Sequence, residues 1–208
     1  MDSKDAIAED SPLKIAYVGF ILFVALGLVL HWIMTDDAKP VSAKKPENFR
    51  IAADCGVLKT MPKDEDDNIS LKLSKKIKVS EDTFIFRFSF DEDKTLGLPI
   101  GKHVIFSANI KDELVCRKYT PISMVQQKGY VDFLIKVYFA NVVPRFPDGG
   151  IMSQYVNNMK IGDIMKMEGP KGRLEYKGYG DFLIAKKEIL GKKKIGCVAG
   201  GTGITPVY

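Results

Sequence analysis

The sequence predicts an all-β antiparallel barrel of six short strands with one helix, preceded by a transmembrane helix and followed by the first strand of an α/β unit. Three observations point there. Phe84, Phe86, Phe88 and Phe90 alternate with Thr83, Ile85, Arg87 and Ser89, the period of a strand with one buried face. Ile15 to Met34 is a run of 20 residues without Asp, Glu, Lys or Arg. Ile195-Gly196-Cys197-Val198-Ala199 is continuously apolar and runs directly into Gly200-Gly201-Thr202-Gly203, as a buried parallel strand feeding a glycine-rich turn would.

Residues 1–14 form a tail containing Asp2, Asp5, Glu9 and Asp10, so the apolar run that follows lacks the basic leader of a signal peptide. At about 1.5 Å per residue, residues 15–34 match a hydrocarbon core of roughly 30 Å, and an uncleaved anchor is expected. Lys4 and Lys14 precede the run, while Lys39, Lys44, Lys45 and Arg50 follow it, which places the folded part in the cytosol. His31 and Trp32 suit the interface. Residues 35–68 are rich in Lys, Pro, Asp and Glu, include Asp64-Glu65-Asp66-Asp67, and are expected to be a solvated linker.

Residues 69–180 are assigned to the barrel. Strands are expected over Ile69 to Val79, Phe84 to Phe90, His103 to Ile110, Leu114 to Tyr119, Tyr130 to Tyr138 and Asp163 to Glu168, with a further short strand through Leu174 to Tyr176 after Gly169-Pro170-Lys171-Gly172. Lys111-Asp112-Glu113 supplies a hairpin turn, and turns this tight indicate a small closed barrel. The helix, Ile151 to Met159, follows Asp148-Gly149-Gly150, and its first amides can approach a phosphate. Residues 181–208 are assigned to the α/β unit, with Thr205 and Pro206 placed to cap and start a helix.

Composition excludes several classes. Cys55, Cys116 and Cys197 show no CxxC pairing and no accompanying His cluster, so neither a disulfide framework nor a metal site is expected. A net charge of +5 suits an acidic protein partner or an anionic membrane surface. With no basic stripe interleaved with aromatics, no nucleic-acid partner is expected.

The candidate site centres on Arg117-Lys118-Tyr119-Thr120-Pro121-Ile122-Ser123, where a strand stops at a proline. Arg117 offers a planar fork for a pyrophosphate, Tyr119 an aromatic face and a hydroxyl, and Thr120 a hydroxyl beside extended backbone. Taken alone, the same residues also describe a surface ion pair and a half-buried ring. His103 is open to two readings, a core histidine or one that helps to order the site.

With Gly149-Gly150-Ile151-Met152-Ser153-Gln154-Tyr155 and Gly200-Gly201-Thr202-Gly203-Ile204-Thr205-Pro206 downstream, the heptapeptide resembles the flavin reductases of ferredoxin-NADP reductase type. Over Phe133 to Tyr155 the chain is most similar to the NADH-cytochrome b5 reductase family. The resemblance, from about Ile69 to Tyr208, implies an FAD-binding barrel with FAD lying across it and under the helix. It implies Arg117 at the pyrophosphate with Lys118 beside it, Tyr119 along the ribitol and isoalloxazine, and Thr120 near flavin N5. Leu134, Lys136 and Phe139 belong to the neighbouring strand of that surface, and Lys136 also faces the nicotinamide, so Thr120 and Lys136 are the implied catalytic residues. Gly150, Ile151, Met152 and Ser153 would hold pyrophosphate, Thr205 would reach the flavin, and Gly201 and Thr202 would support the nicotinamide.

Two positions depart from the family: Lys118 replaces the usual proline, and Ile151 stands where relatives usually carry Lys. NADH is implied as hydride donor, cytochrome b5 or a similar haem protein as acceptor, and the endoplasmic reticulum or mitochondrial outer membrane as location. A complete nicotinamide lobe needs on the order of 100 further residues of βα units. The resemblance therefore describes a truncated member, expected to bind FAD weakly and to lack NADH-driven reduction. A non-catalytic membrane-tethered FAD-binding module and a different flavin reductase are the alternatives.

Overall fold

The computed structural model describes residues 56–208. The expected tail, the anchor at 15–34 and the linker up to residue 55 lie outside the described residues. Among the described residues no helix is long and apolar enough to cross a membrane.

Strands β1 (Ile69–Lys78), β2 (Thr83–Ser89), β3 (His103–Ile110), β4 (Glu113–Tyr119), β5 (Tyr130–Lys136) and β6 (Ile164–Lys171) form one sheet in the order β4-β3-β6-β1-β2-β5. Every neighbouring pair is antiparallel. The alternation of β2 is realised: Phe86 and Phe88 are fully buried, Phe84 and Phe90 pack partly against the same core, and Arg87 faces out. Phe106 and Phe133 complete the centre, with ring centroids 5.6 Å (Phe88 to Phe106), 6.0 Å (Phe88 to Phe133) and 4.9 Å (Phe106 to Phe133) apart and edge-to-face. Such pairs add about 0.5–1.5 kcal/mol each beyond the area they bury. The β3–β4 hairpin closes through Lys111 and Asp112, both at positive φ (53° and 64°), the two-residue geometry that matches strand twist.

The expected closed barrel is corrected to a curled sheet whose edge strands, β4 and β5, are not paired by a ladder. The loop after Tyr119 bridges them: Ile122 N–H donates to the Asp132 carbonyl at 2.9 Å, and Asp132 N–H donates to Ser123 Oγ at 3.2 Å. Pro121 explains why a loop does this. It keeps the chain extended yet cannot donate to a ladder.

The expected linker is corrected over residues 56–68. Helix α1 (Val57–Thr60) buries Val57 and Leu58, whose amides donate to Thr95 O and Leu96 O at 2.9 and 3.1 Å. Asp64 Oδ1 accepts from the amides of Asp66 and Asn68, and its other oxygen meets Lys166 Nζ at 2.7 Å. A charged run reads as solvated by composition, but one aspartate within it folds its own turn.

The α/β expectation for residues 181–208 is also corrected. Strands β7 (Leu174–Gly178), β8 (Asp181–Ile184) and β9 (Lys187–Ile189) form a separate three-stranded meander. Its turns place Tyr179, Gly180, Ala185 and Lys186 at positive φ. Tyr176 N–H docks it to Ile100 O at 2.9 Å. Residues 195–199 are no strand: Ile195 and Val198 are 60% and 95% exposed, and no strand among the described residues pairs with them. A buried parallel strand exists only where neighbours cover both faces. Residues Gly201–Ile204 form a 3-10 turn, and Thr205 closes that turn, its amide reaching Thr202 O at 3.4 Å, where a helix start was expected.

Candidate functional site

Between β4, β5 and the helix α2 (Ile151–Asn158) lies a cavity of about 610 Å³. Alternation along β5 creates one wall. Val131, Phe133 and Ile135 point into the core, which turns Leu134 and Lys136, and Tyr138 just beyond the strand, to the opposite side. The end of β4 supplies the facing wall: Arg117, Lys118, Tyr119 and Thr120 all line the cavity. Arg117 Nη1 donates only to the Cys116 carbonyl, at 2.8 Å, and among the described residues neither Arg117 nor Lys118 has a carboxylate partner. Two exposed cations without anions at the mouth of a concave site are available to an anionic ligand.

Tyr119 packs its ring on Phe106, 4.6 Å between centroids. Burial, with a smaller contribution from Tyr138 and against the pull of Arg117, pushes its hydroxyl up to about 12, so it remains a hydrogen-bond donor at any physiological pH. His103 lines the same cavity half-buried. Burial, then the cations of Lys118 and Lys102, draw its pKa below the usual histidine value and favour the neutral ring. Lys136 is held at the rim by Asp82, 2.9 Å away, and that carboxylate raises its pKa.

The third wall is the start of α2, and glycine decides its shape. A Cβ at Gly149, whose φ is +67°, would lie 2.4 Å from Tyr138 O, and one at Gly150 would lie 2.5 Å from Ser153 Oγ. The turn is closed by Gly150 N–H donating to Tyr138 O at 2.8 Å. Ser153 Oγ accepts from Tyr138 N–H at 3.2 Å and donates to Gly150 O at 3.0 Å. The Ser153 hydroxyl proton is thus committed within the turn. What Ser153 offers the cavity is its amide, beside those of Ile151 and Met152, none of which has an intrahelical acceptor. The first intrahelical bond is Gln154 N–H to Gly150 O at 3.0 Å.

Of the expected site residues, the cavity gathers Arg117, Lys118, Tyr119, Thr120, Leu134, Lys136, Gly150, Ile151, Met152, Ser153, Thr202 and Thr205. Phe139 and Gly201 lie outside its lining. The Phe139 backbone passes so close to Gly149 that a side chain there would sit 2.7 Å from the Phe139 carbonyl carbon. Gly101, Lys102, Tyr138, Gly203 and Pro206 also line the cavity, although none of them was counted among the ligand-binding residues from sequence. For Tyr138 the signal was present, since it continues the alternation of Leu134 and Lys136.

The residues fit a long ligand with a diphosphate centre and an aromatic end. Paired cations face free helix amides across the cavity, the glycine turn admits close approach of a phosphate, and the Tyr119 ring offers a flat face.

The family described as oxidoreductase FAD-binding domain matches residues 70–176. NADH-cytochrome b5 reductase 2 of Gallus gallus is 52% identical over 143 residues, covering 66% of this chain and 47% of that protein. Nitrate reductase [NADH] 1 of Arabidopsis thaliana is 48% identical over 143 residues, covering 68% of this chain and 16% of that protein. The crystal structure of the cytochrome b5 reductase domain of Ulva prolifera nitrate reductase superposes with a TM-score of 0.66 at 37% identity, over 70% of this chain and 55% of that one. The chain therefore spans less than half the length of these two curated relatives.

Proposed function

The chain belongs to the oxidoreductase FAD-binding domain family, and from that premise we propose that its cavity holds FAD in a reductase that draws electrons from NADH and delivers them to cytochrome b5 or a similar haem protein. The observation that carries the reading is the convergence on one cavity of Arg117 and Lys118, which have no carboxylate partner among the described residues, with the amides of residues 151–153. Bound flavin supplies the conversion of a two-electron hydride donor into single-electron delivery.

The chain's own residues bind and orient. Arg117 meets the pyrophosphate with its fork, Lys118 adds a point charge, and the α2 amides neutralise the opposite oxygens. Tyr119, kept protonated and backed by Phe106, donates a hydrogen bond and excludes water from one face of the site. Thr120 presents its hydroxyl from a loop fixed by Asp132. Lys136, pinned by Asp82, keeps a cation at the rim where a nicotinamide-bearing donor would approach. Residues 15–34 tether the domain to the endoplasmic reticulum or mitochondrial outer membrane, facing the cytosol.

Titration of the purified chain with FAD tests the core of this reading. Saturable quenching of flavin fluorescence is expected, and its absence would overturn it. The acceptor half is tested by NADH-driven reduction of cytochrome b5 by the protein purified from its native membrane. Reduction of ferricyanide with none of cytochrome b5 would assign a different acceptor. The tether is tested by protease treatment of intact membrane vesicles, where protection of the domain would refute the cytosolic orientation.

A further inference from the structure

Helix α2 contains no basic residue in its last turn and no acidic residue in its first, so its own sequence does nothing to balance its dipole. A cation arrives from elsewhere. Lys76 Nζ donates to the carbonyl of Asn157, at the C-terminal end of α2, at 2.5 Å. Lys76 lies on β1, 81 residues away in sequence, and a strand lysine would ordinarily face solvent.

A bulge turns it inward. Register along β1 shifts between Leu73 and Lys75, where Ser74 Oγ donates to Arg87 O at 3.2 Å. Beyond that shift Lys76 stands directly opposite Phe86, a fully buried residue, so the two side chains share the core-facing side. The ammonium sits 5.2 Å from the Phe84 ring centroid and 5.6 Å from that of Phe86. Burial lowers its pKa. Above it, Met152, Val156 and Met159 seat α2 on the core.

We propose that Lys76 is a positioning residue for the anionic ligand of this domain: by capping the C-terminal end of α2 it sets where the helix presents the amides of residues 151–153. The N-terminal end of α2 is fastened by the Gly150 turn to Tyr138 and the C-terminal end by Lys76 to Asn157. An eight-residue helix held at both ends cannot slide or tilt on the core without breaking one fastening. The cation also offsets the partial negative charge of the C-terminal carbonyls, which otherwise works against an anion at the other end. The inference rests on the reading that FAD binds at α2.

The test compares the full chain with Lys76→Met and Lys76→Arg, measuring the FAD dissociation constant by flavin fluorescence and amide exchange across α2 without ligand. Met keeps the stem over Phe84 and Phe86 but removes charge and donor; Arg restores both. Lys76→Met is expected to weaken FAD binding about fivefold, the size of one helix-terminus charge interaction, and to speed exchange in α2. Lys76→Arg is expected to return both to wild-type values. If Lys76→Met does not fold, Lys76→Leu, which also lacks charge and donor, carries the same comparison. Wild-type affinity in the uncharged variant, or equal losses in the Arg variant, would overturn the proposal. Failure of the wild-type chain to bind FAD would instead refute the functional reading, and the positioning role with it.

Discussion

The curled sheet and the segment from residue 190 onward use similar apolar residues to opposite ends. In the sheet, Phe86, Phe88, Phe106 and Phe133 are fully buried because paired strands and each other's rings cover them. In the later segment, Leu190, Ile195 and Val198 lie exposed. The difference teaches that an apolar residue gains its stabilising free energy from the partner that covers it, and periodicity announces only the wish to be covered.

The sharpest way to break that comparison is a paired truncation. Phe106→Ala removes a ring in contact with Phe88, Phe133 and Tyr119, and should destabilise the domain by about 3–5 kcal/mol. Val198→Ala should stay within roughly 0.5 kcal/mol. Urea unfolding of the two variants measures both, and similar midpoints would mean that the C-terminal segment is covered after all.

The same contrast holds between a bare cation and a half-buried ring at the site. Arg117→Ala should cost FAD binding on the order of 2–5 kcal/mol, the penalty for leaving a charged group without its partner. His103→Ala, which removes a ring drawn toward its neutral form, should cost much less. Flavin content per purified protein reads both, and equal retention would reduce Arg117 to a surface residue.

Ile151 is 47% exposed at the first position of α2, an apolar side chain on a cavity otherwise suited to an anion. Ile151→Lys should tighten FAD by about 0.5–1 kcal/mol, seen as a lower dissociation constant in the fluorescence titration. A weaker complex would show that Ile151 makes an apolar contact with the ligand.

The smallest effect concerns the acidic run. The hydrogen bond from Lys166, then the Asn68 amide, hold the Asp64 carboxyl down to about 2. A carboxyl with a depressed folded-state pKa adds stability above its unfolded value, near 3.9, and that stability is lost as pH falls toward about 2. Unfolding midpoints measured from pH 5 to pH 2 should fall less steeply in Asp64→Asn than in the wild type. Parallel profiles would return Asp64–Asp67 to the role of solvated charge.

Most of the cavity was legible because its chemistry is local. Arg117 to Thr120 end one strand, Leu134 and Lys136 alternate on another, and Gly149-Gly150 precede a helix; each signal is contained within a few residues. Of the meander at residues 174–189 only the strand through Leu174 to Tyr176 was legible, and β8 and β9 were not. Its turns rest on Tyr179 and Gly180 in one case and Ala185 and Lys186 in the other, and the second pair carries no turn signature. Lys76 was hidden for a different reason. Its inward direction depends on a bulge that only the pairing with β2 reveals.

By itself the sequence determined the six strands, the helix and the glycine turn that opens it, because period-two alternation and positive-φ turns are properties of single segments. Tertiary structure alone decided that the sheet curls without closing, that Val57 and Leu58 belong to the core, that residues 195–199 remain uncovered, and that the Ser153 hydroxyl is spent on Tyr138 and Gly150. Each of those outcomes depends on which partner occupies a given face or accepts a given proton. No stretch of chain carries that information about its distant neighbours.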